Sequence, residues 1–266
     1  METVQSAHGT VIAYERTGVG QPLVIIGGAF NTRMSSAGLA ALLSDRFTVY
    51  RYDRRGRGDS GGTREAAGYS IDWEADDLAA VLRATGGNPF IYGHSSGGAL
   101  ALESAARGIA MQKLAVYEAP YSGPGGPGGP GGPTSDVAEQ LRTLVADGRR
   151  DDATERFLGL MGMSTDAIGH ARQSPYWSDM VAIAHTLPYD VTLSNGGEVP
   201  VKLLGDVAVP TLAIAGGDSP AWAANAARAI AMYVPDATYV ILPGQTHGVA
   251  DEVIAPVLAE WFGEVV

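Results

Sequence analysis

The residues around Ser95 have the types and spacing that nucleophilic catalysis by a serine requires. Residues 93–97 read Gly-His-Ser-Ser-Gly, which is the pattern G-x-S-x-G. A short apolar run at residues 89–92 precedes the pattern, and a helix-like stretch begins at Gly98. Such a strand-to-helix turn exposes a serine hydroxyl at the top of a sheet, and its glycines make room for a strained backbone. The pattern in this setting predicts that Ser95 is a nucleophile.

The elements that would position Ser95 follow the order of an α/β protein. Short β-rich runs alternate with helical patterns along most of the chain, which is typical of a parallel sheet with crossover helices. Residues 10–15 are interpreted as part of an opening hairpin. The predicted buried strands cover residues 22–26, 47–52, 89–92, 113–117, 211–215 and 238–242, and the predicted helices of this part cover about 71–83 and 252–262.

One long interval interrupts this alternation. Residues 121–206 contain no strand-like run, and they open with a Gly/Pro tract at residues 123–133 that is interpreted as a connector. Helical patterns follow, so we expect an all-helical cap over the carboxyl edge of the sheet, where open α/β sheets bind ligands. We predict a core domain of residues 1–120 and 207–266, and a connector with a substrate-selecting cap at 121–206. The cap helices are predicted at residues 136–146, 151–160, 165–172 and 175–185.

Three further motifs accompany the Ser95 pattern in a fixed order. Residues 26–30 read Ile-Gly-Gly-Ala-Phe, residues 52–60 read Tyr-Asp-Arg-Arg-Gly-Arg-Gly-Asp-Ser, and residues 243–247 read Pro-Gly-Gln-Thr-His. With these motifs nearly the whole chain resembles an α/β-hydrolase with an inserted helical cap. The resemblance implies a mostly parallel eight-stranded sheet with flanking helices. It also implies that the loop at residues 53–60 is architectural, with Arg and Asp side chains pairing around its glycine turns.

The resemblance implies that the catalytic base lies late in the chain. An unactivated serine is a weak nucleophile at neutral pH and needs an imidazole that accepts its proton. Of the five histidines, His247 is the one that follows the last predicted strand, where this fold carries its catalytic histidine. His94 adjoins Ser95 but points elsewhere in such a turn. The others, in the opening hairpin or the helical interval, are His8, His170 and His185. We therefore predict that His247 is the base.

Two carboxylates compete for the role of the triad acid, which bonds the far nitrogen of the imidazole. After the seventh strand, the usual family pattern Gly-x-x-Asp-Pro places the acid at Ser219, and Asp218 is one residue early. After the sixth strand, residues 116–120 read Val-Tyr-Glu-Ala-Pro. Fungal zearalenone lactonases and similar hydrolases carry a triad glutamate there, followed closely by proline. Glu118 is favoured because a one-residue offset in a tight loop redirects a side chain, while Asp218 stays open as an acid, a turn residue or a helix N-cap.

The oxyanion hole of such an enzyme uses two backbone N–H groups aimed at the charge of the tetrahedral intermediate. The first is predicted to be that of Ser96, the residue after the nucleophile, and the second that of Ala29 in the glycine loop. Aromatic residues are candidates for an apolar substrate pocket, although aromatic side chains in cap helices also serve packing. The predicted substrate-binding residues are Phe30, Trp177, Tyr189 and Trp222.

Composition and charge exclude several other classes of protein. The 266-residue chain has a formal net charge of −11, which disfavours nucleic acid and anionic membranes as partners. It has no cysteine, so disulfides and thiolate catalysis are excluded. We expect no metal and no cofactor, because metal-ligand and dinucleotide-binding patterns are both missing. Because the start of the chain lacks a signal-like segment, we expect a cytoplasmic protein. We also expect it to be a monomer or a homodimer.

We therefore predict a cofactor-free serine hydrolase that cleaves an apolar carboxylic ester or lactone through an acyl-enzyme. Thioester hydrolysis, carbon–carbon bond hydrolysis and perhydrolase activity on the same triad stay open. A further alternative is a non-catalytic small-molecule receptor on a hydrolase scaffold.

Overall fold

The computed structural model describes residues 1–62, 68–121 and 134–263. The Gly/Pro tract at residues 123–133, predicted to be a connector, lies outside the described residues. The strands form one eight-stranded sheet in the order β1-β2-β4-β3-β5-β6-β7-β8. Their bounds are β1 (Glu2–Gln5), β2 (Val11–Thr17), β3 (Gln21–Ile26), β4 (Phe47–Tyr52), β5 (Phe90–His94), β6 (Lys113–Tyr117), β7 (Thr211–Gly216) and β8 (Ala237–Leu242).

The sheet is antiparallel at one side and parallel over the rest. β2 pairs antiparallel with β1 and with β4, whereas all pairs from β4 through β3 to β8 are parallel. The carboxyl ends of β3, β5, β6, β7 and β8 therefore lie at one edge, where such sheets build their ligand sites. The predicted mostly parallel eight-stranded sheet with flanking helices is confirmed.

Helices cover both faces of the sheet because strand side chains point alternately to opposite sides. Leu23 and Ile25 of β3 pack with residues of α1 and α11, and Val24 and Ile26 pack on the other face with residues of α2, α3 and α10. No helix in the described ranges is long and apolar enough to cross a membrane. These helices are α1 (Ala37–Leu43), α2 (Ile71–Ala84), α3 (Ser96–Ala106), α10 (Ala221–Tyr233) and α11 (Asp251–Gly263).

A helical insertion, defined here as residues 134–205, lies between β6 and β7. Its helices form a hydrophobic cluster of their own, which includes Leu141, Phe157 and Leu187. Ala29 and Phe30, from the loop after β3, pack against this cluster. The insertion therefore contacts the core next to the predicted oxyanion loop. It contains α4 (Thr134–Ala146), α5 (Arg150–Leu160), α6 (Thr165–Ala171), α7 (Trp177–Ala182), α8 (Leu187–Leu193) and α9 (Val201–Gly205).

The prediction of one helix over residues 175–185 is wrong. α7 ends at Ala182, and Ile183 leaves the helical conformation with φ −106° and ψ 9°. His185 lies in a short 3₁₀ turn, and its Nε2 is 2.8 Å from the carbonyl oxygen of Gly56 in the core. A new helix, α8, then begins, with a proline in its first turn, a position that needs no donor. His185 is thus hydrogen-bonded to the core, and the segment forms a helix, a turn and a second helix in place of one straight helix.

Candidate active site

Ser95 occupies a strained turn between β5 and α3. Its φ of 55° and ψ of −125° are unusual for a residue with a side chain, and its N–H donates to the carbonyl of Tyr117 at 2.8 Å. The turn depends on two glycines, since a Cβ on Gly93 would lie 2.6 Å from the Gly97 oxygen and one on Gly97 would lie 2.3 Å from the Ile26 oxygen. Close backbone packing thus explains the glycines of the pattern.

Glu118 and His247 meet in a direct hydrogen bond. The Nδ1 of His247, in the loop after β8, lies 2.7 Å from Oε2 of Glu118, the residue that follows β6. The Glu118 side chain is fully buried, whereas 42% of the His247 side chain is exposed. Glu118 also has a positive φ of 46°, a strained conformation for a non-glycine residue. The arrangement orients the imidazole and leaves its other nitrogen, Nε2, outside this hydrogen bond.

The second oxygen of Glu118 is held by two donors. Oε1 accepts hydrogen bonds from the Ser219 hydroxyl at 2.5 Å and from the Gly216 N–H at 2.8 Å. Burial alone would raise the pKa of Glu118, but the hydrogen bonds from His247, Ser219 and Gly216 lower it. The carboxylate is therefore kept ionised beside the imidazole.

Asp218, the alternative acid, has a different environment. It is exposed after β7, and its N–H donates to the carbonyl oxygen of Gln245 at 2.9 Å. Its neighbour Ser219 stands at the place that the family pattern gives to the acid and donates to Glu118 instead. Sequence reasoning noted Ser219 but missed this role, because a lone hydroxyl gives no signal of its own. The offset from the pattern was the available clue.

His94, the residue before Ser95, supports the loop that carries His247. Its Nε2 lies 2.8 Å from the His247 carbonyl oxygen, and the two rings are 5.0 Å apart. Burial and the nearby His247 lower the pKa of His94 to about 4. A neutral His94 therefore donates its Nε2–H to this carbonyl.

The predicted oxyanion loop lies against Ser95. A Cβ on Gly28 would lie 2.8 Å from the Cβ of Ser95, so the loop approaches as closely as glycine permits. The Gly28 N–H donates to Oδ1 of Asn31 at 3.0 Å, and Phe30 has a positive φ of 60°. Ser96 begins α3, so its N–H belongs to the first turn, where backbone donors have no partner within the helix.

A small cavity beside Ser95 brings together this serine, the two predicted oxyanion residues Ala29 and Ser96, and the helical insertion. Its volume is about 30 Å³, and the insertion contributes Asp190 and Ser194 to its polar lining. A larger cavity of about 700 Å³ is lined in part by Phe30 and His185. Phe30 of the larger cavity makes an edge contact with Phe157 of the small one, with ring centroids 5.4 Å apart, so the two cavities meet at this pair. The residues that line the small cavity are Ala29, Ser95, Ser96, Pro120, Phe157, Leu160, Met161, Asp190, Val191 and Ser194.

The four predicted substrate-binding aromatics have different surroundings. Phe30 lines the larger cavity, and the ring of Trp222 lies 6.1 Å from that of His247. Trp177 is buried and donates its indole N–H to Asp151 at 2.8 Å. Tyr189 is buried and stacks on Tyr69 at 4.2 Å. The structure thus brings Phe30 and Trp222 near the site and gives Trp177 and Tyr189 packing contacts elsewhere.

The loop at residues 53–60, expected to be architectural, contributes two buried arginines next to the oxyanion loop. Arg54 and Arg57 both form ion pairs with Asp190, which comes from α8 of the helical insertion. Burial alone would raise the pKa of Asp190, but the charges of Arg57 and Arg54 and the hydrogen bond from Ser96 lower it. Sequence reasoning missed Asp190 because no motif surrounds it and α8 was not predicted.

Comparison with known proteins gives a consistent result for the whole chain. The model of the alpha/beta hydrolase family matches residues 7–259. The crystal structure of an α/β hydrolase from Sphaerobacter thermophilus is 44% identical and aligns with a TM-score of 0.89 over 98% of this chain and 100% of that one. The enol-lactonase of Burkholderia xenovorans shares the fold, with a TM-score of 0.70 at 18% identity over 99% of this chain and 100% of that one.

A curated relative matches part of the chain. The N-formylmaleamate deformylase of Pseudomonas putida is 33% identical over 123 residues, which are 45% of this chain and 46% of that protein. The matched region thus spans about half the length of this curated relative.

Proposed function

The chain belongs to the alpha/beta hydrolase family, and from this premise we propose that it is a serine hydrolase that cleaves a carboxylic ester or a lactone. The observation that carries the proposal is the 2.7 Å hydrogen bond between His247 and Glu118, at the sheet edge where Ser95 occupies the nucleophile turn. A carboxylate that holds Nδ1–H leaves the Nε2 lone pair of the imidazole available to a serine hydroxyl. Glu118, rather than the exposed Asp218, is therefore the proposed acid.

In the proposed reaction, Nε2 of His247 accepts the hydroxyl proton of Ser95 while Oγ attacks the carbonyl carbon of the substrate. The carbonyl oxygen gains the negative charge and accepts hydrogen bonds from the N–H groups of Ala29 and Ser96. The bond to the alcohol oxygen then breaks, and His247 gives its proton to that oxygen. Water, deprotonated by His247, attacks the acyl-enzyme, so the acid is released and the Ser95 hydroxyl is restored.

The small cavity favours a small acyl group. Its volume of about 30 Å³ is far below the roughly 300–1,000 Å³ of ordinary ligand pockets. Leu160, Met161 and Val191 make much of its lining apolar. The remainder of a larger ester would have to extend past the Phe30–Phe157 pair into the larger cavity, or displace side chains of the insertion. Short-chain esters and small lactones are therefore the first substrates to test.

A second candidate reaction is hydrolysis of an N-formyl amide. It is favoured by the partial match to the Pseudomonas putida deformylase, and it uses the same attack, oxyanion and proton transfer to the leaving group. Thioester and carbon–carbon bond hydrolysis and perhydrolysis share the same nucleophile as well. Substrate panels that contain matched ester, lactone, thioester and formamide compounds distinguish among these reactions.

The proposal is tested with a fluorophosphonate probe and short-chain nitrophenyl esters. Wild type is expected to be labelled and to turn over esters, and Ser95→Ala is expected to lose both properties. Ser104→Ala is the matched control, because Ser104 lies on the same helix, α3, and its buried hydroxyl has no hydrogen-bond partner among the described residues. Absence of labelling and of serine-dependent turnover in wild type would contradict the proposal and favour a non-catalytic receptor.

A further inference from the structure

Asp190 of the helical insertion lies at the centre of a buried charged cluster beside the nucleophile. Only 2% of its side chain is exposed. Its Oδ1 accepts hydrogen bonds from the Ser96 hydroxyl at 2.6 Å and from Arg54 Nη1 at 2.9 Å. Arg57 Nη2 lies 2.8 Å and 2.9 Å from the two carboxylate oxygens. One carboxylate from α8 thus joins three core residues that are distant from it in sequence.

The two arginines that bond Asp190 also donate hydrogen bonds to the oxyanion loop. Arg54 Nη1 lies 3.3 Å from the carbonyl oxygen of Gly27, and Arg57 Nη1 lies 2.5 Å from that of Gly28. The carbonyl of Gly28 and the N–H of Ala29 belong to the same peptide unit. Because a trans peptide is planar, its C=O and N–H point in opposite directions. The Gly28 carbonyl accepts from Arg57 at 2.5 Å and, at the longer distance of 3.3 Å, from the Asn31 N–H. The shorter hydrogen bond, from Arg57, therefore contributes most to the direction in which the Ala29 N–H points.

The other proposed oxyanion donor is fixed by the same carboxylate. The Ser96 side chain donates to Asp190 at 2.6 Å and accepts from Arg54 at 3.1 Å. A residue whose side chain is held on both sides has little freedom to rotate its backbone. The Ser96 N–H at the start of α3 is therefore held in place through its own side chain.

The charges in this cluster compensate one another only while Asp190 is present. Arg54 has a second carboxylate partner, Glu74, at 2.5 Å. For Arg57, Asp190 is the one carboxylate within ion-pairing distance in the described part of the chain. Without Asp190, Arg57 would be a buried cation without a counterion, a costly state that drives side-chain rearrangement. Such a rearrangement would remove the short hydrogen bond from Arg57 and leave the Gly28 carbonyl with the longer one, 3.3 Å, from the Asn31 N–H.

Building on the proposed function, we propose that Asp190 is a positioning residue through which the helical insertion completes the oxyanion hole. It holds the Ala29 donor through Arg57 and the Gly28 carbonyl, and the Ser96 donor through the Ser96 hydroxyl. Asp190 takes no proton and forms no bond in the reaction. Its effect is to keep two backbone donors aimed at one point, so that they stabilise the transition state more than the bound substrate.

The test compares Asp190→Asn with the matched variant Asp77→Asn. Asp77 is also a buried aspartate paired with an arginine, Arg55, at 2.7 Å, but it does not contact the oxyanion loop or Ser96. Both variants lose a buried charge pair. For Asp190→Asn we expect kcat on a short-chain ester to fall by about 10²-fold, the order seen on loss of one oxyanion donor, with KM within about 2-fold. Asp77→Asn is expected to retain the wild-type kcat.

A second readout reports on the oxyanion hole directly. A trifluoromethyl ketone forms a tetrahedral oxyanion adduct with a catalytic serine, whereas a methyl ketone of the same shape binds largely as an intact ketone. We expect Asp190→Asn to weaken binding of the trifluoromethyl ketone by about 10²-fold, the same factor by which kcat falls. Binding of the methyl ketone is expected to be nearly unchanged. A merely structural role would leave the ratio of the two affinities as it is in wild type.

Each outcome decides the proposal. Equal kcat values for Asp190→Asn and Asp77→Asn, or a raised KM with unchanged kcat, would overturn it, the latter because Asp190 would then contact substrate directly. If Asp190→Asn does not fold, Ser96→Ala removes one contact of the cluster while it keeps the backbone N–H, and a fall of about 10-fold in kcat is expected. A wild-type kcat in Ser96→Ala would then overturn the proposal. Failure of wild type to turn over any ester concerns the proposed function instead.

Discussion

Two buried carboxylates near Ser95, Glu118 and Asp190, have contrasting partners. Glu118 bonds an imidazole whose side chain is 42% exposed, whereas Asp190 bonds two guanidinium groups that are almost fully buried. An imidazole gains and loses a proton near neutral pH, but a guanidinium stays charged. A carboxylate beside the first can therefore support a proton-transfer cycle, while a carboxylate beside the second can only hold geometry.

The pKa values of the two carboxylates illustrate this difference. Burial raises both, and the hydrogen bonds of His247, Ser219 and Gly216 lower that of Glu118, while the charges of Arg57 and Arg54 lower that of Asp190. Both groups are thus ionised at neutral pH for different reasons. The charge of Asp190 is compensated at all times, whereas that of Glu118 is fully compensated only when His247 is protonated, as it would be in the transition state of the proposed reaction. A change at Glu118 is therefore expected to affect catalysis more strongly than a change at Asp190. A change at Asp190 is expected to affect folding stability more strongly.

The largest expected effect is that of Glu118→Gln on catalysis. The amide keeps the size of the side chain but cannot stabilise the imidazolium that forms as Ser95 loses its proton. We expect kcat on a short-chain ester to fall by about 10⁴-fold, as for loss of the acid in other serine triads. Steady-state kinetics measure this directly. Asp218→Asn is the control, since Asp218 is exposed and is expected to leave kcat unchanged. The reverse ranking would show that Asp218 is the acid.

Asp190→Asn is expected to have the larger effect on folding stability. Removal of its charge leaves Arg57 buried without a carboxylate partner, and the loss of one member of a buried pair costs about 3–5 kcal/mol. Glu118→Gln is expected to cost less, because a neutral His247 remains a suitable hydrogen-bond partner for an amide. Urea unfolding of the two variants and wild type measures the difference in the free energy of unfolding. A larger loss in Glu118→Gln than in Asp190→Asn would contradict the assigned roles.

The same two residues show how far sequence reasoning reaches. The parallel sheet follows from local patterns, because β-rich runs such as those around Ile25 and Val116 alternate with helical periodicity. Glu118 could be favoured over Asp218 because Asp218 is one residue away from the position in the family pattern, and because residues 116–120 resemble the triad-glutamate segment of zearalenone lactonases. A contact of Glu118 with His247 follows from the role of a triad acid, which bonds the far nitrogen of the imidazole.

Asp190 had no such local marking. Its partners Arg54 and Arg57 lie 136 and 133 residues away in sequence, and the pairing exists only because α8 packs against the core. The turn at Ile183 and His185 that leads to α8 includes a contact of His185 with the Gly56 carbonyl, 129 residues away in sequence, and helical periodicity carries no information about such a contact. The expectation that the arginines pair with the aspartates of their own loop is wrong, because the arginines pair with carboxylates of α2 and α8 while Asp53 and Asp59 pair with Arg33.

The effect of pH on the free energy of unfolding is expected to differ between the surroundings of Glu118 and those of Asp190. On the Glu118 side, burial and the nearby His247 lower the pKa of His94 to about 4 from an ordinary value of 6.5. Between these values the unfolded chain binds a proton that the folded chain excludes. The free energy of unfolding is therefore expected to fall as the pH drops from 6.5 towards 4, by about 3 kcal/mol in total from this group. The arginines around Asp190 stay charged throughout this range.

His94→Gln is expected to remove most of this pH dependence, because glutamine does not titrate and its amide nitrogen can take the place of Nε2 in the hydrogen bond to the His247 carbonyl. A smaller slope is expected to remain from His185, whose pKa is also lowered by burial and by the charge of Arg150. His170→Gln is the control, since His170 is exposed on the helical insertion and the variant is expected to leave the slope as in wild type. Urea unfolding at several pH values measures the slopes. Equal slopes in wild type and His94→Gln would place the titrating group elsewhere.

The smallest expected effect is that of Ser219→Ala, which probes how firmly Glu118 is held. The variant removes one of the two donors to Oε1 and leaves the Gly216 N–H in place. A hydrogen bond to a charged group contributes about 1.5–3 kcal/mol, so the carboxylate becomes less well fixed and its pKa rises. We expect kcat to fall by about 10-fold and the acid limb of the kcat–pH profile to shift to higher pH. Because Ser219 does not contact the Asp190 cluster, the ratio of trifluoromethyl ketone to methyl ketone affinity is expected to change less than in Asp190→Asn. A larger fall in that affinity ratio in Ser219→Ala than in Asp190→Asn would show that the two carboxylates act as one coupled unit.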